Sequence, residues 1–230
     1  MNRTSPHYFR RSVLSLLISA LIYAPPGMAA FTTNVIGVVN DETVDGVQKV
    51  DERGTTNNTH IINHGQQEVY GGISNSSIIE TGGEQLVSIH ADINGQANNT
   101  TINGGRQSIE YGGISTGTII ESGNQYVHKG GTSNDTTIKG GTSRIEGGTA
   151  NKSGSQDITQ GSLATNTTIN GGRQYVEQST VETTTIKNGG EQRVYESRAL
   201  DTTIEGGTQS LNSKSTAKNT HIYSGGTQIV

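Results

Sequence analysis

A short unit, Thr-Thr-Ile-x-Gly-Gly-x-Gln, recurs along this chain at a step of about 18 residues, and nothing else restricts its fold so tightly. Copies stand at Thr100-Thr101-Ile102-Asn103-Gly104-Gly105-Arg106-Gln107, at Thr136-Thr137-Ile138-Lys139-Gly140-Gly141, at Thr167-Thr168-Ile169-Asn170-Gly171-Gly172-Arg173-Gln174, and at Thr202-Thr203-Ile204-Glu205-Gly206-Gly207-Thr208-Gln209. The glutamine position is traced through Gln67, Gln85, Gln107, Gln125, Ser143, Gln156, Gln174, Gln192, Gln209 and Gln228. The isoleucine position follows at Ile62, Ile79, Ile102, Ile120, Ile138, Ile169, Ile186, Ile204 and Ile222. Two irregularities stand out. The longer step before Gln107, holding Ala91 to Gln96, is expected to be a loop insertion; the short unit from Lys152 to Asp157 lacks a Thr-Thr-Ile half and is expected to be a deletion.

Each unit supplies two short β-branched runs, split by a Gly-Gly corner where positive φ is available at no steric cost. A small residue follows the second corner, as at Ser74, Ser115, Ser133, Ala150, Ala164 and Ala217. Gly-Gly punctuation excludes helix. One unit therefore predicts one coil of an all-β solenoid, a right-handed parallel β-helix of about ten coils in which Ile stacks on Ile and Val on Val. Side-chain alternation turns Ile102 inward and Thr101 outward, and it puts Gln107 and Ile109 on one face. The glutamines then either form an amide ladder inside the coil or sit at its corner. The ladder is preferred, because stacked amides satisfy one another at the strand spacing.

Composition matters chiefly as a contrast with this order. Hydrophobic residues at 29%, aromatics at 4% and 32 glycines would by themselves point to disorder. Cysteine is absent, so stability must come from pairing and stacking. The first thirty residues differ in kind: Arg3, Arg10 and Arg11 precede an apolar run from Val13 to Ala24, then Pro25, Pro26 and Gly27-Met28-Ala29-Ala30. This predicts a signal peptide cleaved after Ala29 or Ala30 and exported by the general secretory route; the Arg10-Arg11 pair only partly fits the twin-arginine alternative. No second apolar stretch would insert in a membrane. Removing three arginines from 16 basic residues leaves 13 against 20 acidic ones, so the mature chain carries −7, which argues against nucleic acid as a partner. The expected organisation is a signal peptide over 1–30, a capping segment over 31–58, and a repeat β-helix over 59–230 that stops within a unit.

The Thr-x-Ile-x-Gly-Gly-x-Gln-x-Val units, with Asn40-Asp41-Glu42-Thr43-Val44-Asp45-Gly46 ahead of them, resemble the passenger of AIDA-type autotransporter adhesins. The resemblance covers Phe31 to Val230. It implies a passenger carried to the outer membrane by a C-terminal translocator barrel and displayed at the cell surface for adhesion, aggregation or biofilm growth. Its partners would be like chains, or ligands on host and abiotic surfaces. The translocator barrel is missing from this sequence, so the chain is expected to be a fragment or a truncated product, periplasmic in the second case. The resemblance also implies that sugars can be O-linked to Ser and Thr of the repeats, with Thr101, Thr137, Thr168 and Thr203 as acceptors.

No cofactor and no metal is expected. His60 and His64 have the spacing of a helical metal pair but lie in strand and turn, where that spacing does not converge. Asp92, Asp135, Asp157 and Asp201, with Glu80 and Glu121, could serve a polysaccharide-cleaving β-helix as acid and base. Most of these acids recur at like positions in the unit, however, whereas a site built once would break the repeat. The regular Thr-x-Thr arrays of ice-binding solenoids do not occur. Tyr70, Tyr126, Tyr175 and Tyr195 alternate with inward Val and so face outward as a possible contact stripe. The leading expectation is a non-catalytic adhesive module; the alternatives are a polysaccharide-active enzyme and an inert remnant.

Overall fold

The computed structural model describes residues 31–145 and 148–230, and the expected signal segment with Ala29 and Ala30 lies outside them. The described residues form a parallel β-solenoid of three strands per turn. One turn contains Thr185–Lys187, Glu191–Tyr195 and Arg198–Leu200; the next contains Thr203–Glu205, Thr208–Asn212 and Thr216–Lys218. Successive turns pair in parallel with like residues opposite like: Ile186 with Ile204, Gln192 with Gln209, and Ala199 with Ala217. The third strand of every turn joins one ten-stranded sheet, so the rod has ten turns.

A core this thin closes because each face contributes one column. Eight isoleucines from Ile61 to Ile204 stack with no exposed surface. A second column runs from Val35 through Val69, Ile109 and Ile158 to Val194, and Ala97, Ala164, Val181 and Ala199 of the third sheet lie against it. Each fully buried Val or Ile contributes about 1.5–3 kcal/mol. Parity falls as the alternation predicts, with Ile102 fully buried and Thr101 half-buried beside it.

The two irregularities are both hairpins. Before Gln107, Glu84–His90 runs on into an antiparallel pairing with Ile93–Asn94, turning at Ala91 and Asp92 with φ of 46° and 66°. Gln96 is no longer loop, since it pairs with Ile73 and Ile114 in the third sheet. The second irregularity corrects the expected deletion. Strand Thr137–Ile145 doubles back antiparallel on Gly148–Thr159, with Gly140 opposite Ser153, and Gln156 takes the ladder place next to Gln125. Those two glutamines are 31 residues apart where neighbours are commonly 18 apart, an excess of 31 − 18 = 13. The turn thus carries an insertion, placed between the two glycines of one corner, Gly140 and Gly154. Ser143 is accordingly not a glutamine equivalent, nor Ala150 a third-strand residue: the two pair with each other in the hairpin. The rod also begins earlier than the traced repeat, because Val44 pairs with Ile61, and Gln48 with Gln67. With Ile61 buried in the column and opposite Ile79, the isoleucine position of that turn is Ile61 and not Ile62.

Candidate contact surface

Among the described residues, no group that titrates is fully buried inside the rod. Its buried polar side chains are Gln, Thr and Ser alone among the described residues. Each glutamine amide donates from Nε2 to the Oε1 of the glutamine one turn earlier at 2.7–2.8 Å, in an unbroken series from Gln67 on Gln48 to Gln228 on Gln209. Inward threonines brace the series, as Thr202 Oγ1 accepts from Gln209 Nε2 at 3.1 Å. At its first member the ladder meets a charge: Gln48 Nε2 donates to Glu42 Oε2 at 2.9 Å, and Glu42 also accepts from Thr32 Oγ1 at 2.8 Å. No buried side-chain polar atom among the described residues lacks a partner. A lining so fully satisfied has no capacity left for a ligand, so function falls to the outer faces.

The third sheet presents an asparagine column, in which Asn57 donates to Asn40 at 2.7 Å, Asn75 to Asn57 at 2.9 Å, and Asn98 to Asn75 at 3.0 Å. The isoleucine sheet presents threonine: Thr137, Thr168, Thr185 and Thr203 stand opposite one another in succession. Three of the expected glycan acceptors are therefore neighbours, joined by Thr185, which the sequence reading passed over. Thr101 stands apart, between Ile78 and Ile119.

The glutamine sheet is the varied face. Tyr126, Asp157 and Tyr175 fall in one column on three successive turns. The Tyr175 and Tyr195 rings lie 5.2 Å apart at 40°, and the Arg106 guanidinium stands 4.5 Å from the centre of the Tyr126 ring. Tyr70 is not part of this group; it pairs with Ser88 near the hairpin at Ala91. Burial pushes the Asp157 carboxyl above the usual carboxylate range. Burial likewise raises Tyr175, with Glu177, Tyr195 and Asp157 adding to the effect. Close by, Glu110 Oε2 lies 3.2 Å from Lys129 Nζ and 3.4 Å from His128 Nε2. Burial nevertheless lowers the His128 pKa and outweighs the opposite pull of Glu110.

The remaining acids and histidines have structural places. Asp135 and Asp201 take a left-handed corner with φ of 54°, and Asp92 turns the first hairpin. Glu80 accepts from Asn103 Nδ2 at 2.9 Å, and Glu121 pairs with Lys139 at 2.6 Å. His60 and His64 are both exposed. Among the described residues no group of three or more His, Cys, Asp or Glu is placed to hold a metal ion, and no helix is long and apolar enough to cross a membrane.

No protein-family model matches the chain. Over 90 residues it is 84% identical to the probable autotransporter YpjA of Escherichia coli strain K12. The likeness is to an autotransporter. The matched stretch is 39% of this chain and 6% of that protein, so the chain spans a small part of the length of the relative it matches. Among solved structures, the crystal structure of the TibC-catalyzed hyper-glycosylated TibA55-350 fragment is similar at 27% identity, over 86% of this chain and 90% of that one, with a TM-score of 0.46.

Proposed function

We propose that this rod is the displayed passenger segment of an autotransporter adhesin, exported to the cell surface and acting through contact and not through chemistry. The observation that carries the reading is the set of outward columns, asparagine on one sheet and threonine on another, each repeated over four successive turns. Many weak contacts at fixed spacing add through effective concentration, and this suits a surface that engages like chains or extended surfaces without any one dominant residue. The 84% identity to an autotransporter over 90 residues supports export and display. The test is to display the segment on a borrowed translocator barrel. Cells carrying it are expected to settle faster, or to bind epithelial or abiotic surfaces better, than cells carrying the barrel alone. Equal settling together with equal binding overturns the adhesive reading.

The same reading takes Thr137, Thr168 and Thr203 as acceptors of O-linked sugar, with Thr101 a lesser one outside their column. Intact mass of chain exported from its native host decides this: masses of the bare polypeptide remove the claim.

A further inference from the structure

The outward column Tyr126, Asp157, Tyr175 has a composition that no other column of the described residues shares: a carboxylate in register between two phenol side chains on adjacent turns. The far side of each ring is already taken. Arg106 covers Tyr126 from the turn before it, and Tyr195 packs on Tyr175 from the turn after it. Asp157 stands between the two tyrosines in the register, on the turn that neither partner occupies. Tyr126 and Tyr175 are two strand spacings apart, about 9.5 Å, so a group midway between them lies roughly 5 Å from either, inside the ~6 Å reach of cation–π attraction.

We propose that Tyr126, Asp157 and Tyr175 form a binding site for an organic ammonium ion, with a quaternary ammonium group of the choline type preferred. Two ring faces and one ionised carboxylate all favour positive charge. Tyrosine faces on this rod already take cations, Arg106 on Tyr126 and Lys129 at 4.7 Å from the Tyr111 ring centre. A weakly hydrated, bulky cation fits best, because a small metal ion would surrender its water for a single carboxylate, while trimethylammonium gives up little and touches both rings. The carboxyl is also kept partly out of water, and burial raises its pKa. A cation entering the site would return the stabilisation that water no longer provides.

The repeat itself sets this turn apart. The residues added between Gly140 and Gly154 leave the coil just before Asp157, and a site built once on a periodic scaffold is expected where the period is broken.

Saturation-transfer NMR on the purified chain, from aromatic protein protons to the methyl protons of tetramethylammonium at constant ionic strength, tests the proposal. A dissociation constant on the order of 1 mM is expected for tetramethylammonium and for choline. The neutral isostere 3,3-dimethylbutanol is expected to bind at least about tenfold more weakly, since it lacks the charge. Asp157→Asn and Tyr175→Leu should each weaken binding by about tenfold, with unchanged circular dichroism, and Tyr70→Leu should leave it as it was. Sedimentation with phosphatidylcholine vesicles, against phosphatidylglycerol vesicles, then separates a lipid headgroup from the free ion as the source. Equal binding of the neutral isostere, or a folded Tyr175→Leu chain that binds as before, overturns the assignment. So does the absence of saturation transfer. The outcome is independent of whether displayed cells clump.

Discussion

Single side chains on this rod differ in consequence according to the face they occupy. Ile169 is fully buried and stacked between Ile138 and Ile186, while Thr168 beside it points outward. Ile169→Asp leaves a buried, unpaired carboxylate, expected to cost several kcal/mol, whereas Thr168→Asp should stay within about 1 kcal/mol. Urea denaturation midpoints compare the two, and equal shifts would mean the faces are reversed. In the ladder, Gln174→Leu strands the Oε1 of Gln156 on one side and, on the other, one N–H of Gln192 Nε2, which keeps only its bond to Thr184 Oγ1. The expected loss is about 1–3 kcal/mol for each stranded group. Asp157 behaves oppositely. Its pKa is higher in the folded chain than in the unfolded one, so between those two values the native state binds more protons and stability falls as pH rises. Asp157→Asn should therefore raise the melting temperature at about pH 7, and the gain should vanish below the unfolded carboxylate pKa of about 3.9. A variant less stable than the parent near neutrality would show that the carboxylate is needed for the fold.

Corners and hairpins show where local sequence is decisive and where it misleads. At Gly189-Gly190 the two glycines have different reasons. Gly189 holds φ at 77° with open space around it, while a Cβ on Gly190 would meet the Ile169 carbonyl oxygen at 2.6 Å and its Cγ2 at 2.9 Å. Gly189→Asn is thus expected to be nearly neutral, and Gly190→Ala to cost about 1–3 kcal/mol by melting temperature. The first glycine can even be replaced, as by His64 with φ of 68° ahead of Gly65. Isoleucine stacking, strand parity and the glutamine ladder were legible because each is a period-two or per-turn pattern. Gln48 and Val44 were not seen, since their turn lacks the Thr-Thr-Ile spelling and joins the array only through pairing with Gln67 and Ile61. The inserted hairpin was misread because Gly140-Gly141 spells a complete corner locally. The true corner is Gly140 with Gly154, and only the following Ser155-Gln156-Asp157-Ile158, matching x-Gln-x-Ile, marks it in sequence. Deleting residues 141–153 would restore Thr136-Thr137-Ile138-Lys139-Gly140 followed directly by Gly154-Ser155-Gln156. That chain should fold with undiminished strand content and equal or higher stability, since a shorter excursion costs less closure entropy. Loss of the β-sheet circular dichroism signal on deletion would show that the hairpin is needed to turn the corner.

Over the whole rod, each turn pairs with the turns before and after it, and the buried columns run through most of the ten, the isoleucine column through eight. Stability is then close to a sum of turn terms and nearest-neighbour terms, with cooperativity carried by the interfaces and not by one shared core. Nine amide-to-amide contacts pointing the same way couple the turns further, because each polarises the next in a medium that excludes water. A rod of this kind keeps its outward side chains in register from turn to turn, which an adhesive surface needs if many weak contacts are to act together. It should also be divisible. Ile120 lies mid-rod, stacked between Ile102 and Ile138. Ile120→Asp weakens the two interfaces of its own turn and no others, so the turns on either side lose their coupling while each block keeps its internal pairing. Hydrogen exchange followed by mass spectrometry should then show peptides from Val35 to Val87 and peptides from Ile169 to Ile204 opening with separate free energies, where the unaltered chain opens both blocks together. If the substituted chain still exchanged as a single unit, or lost protection throughout, nearest-neighbour stacking could not be what holds the rod together.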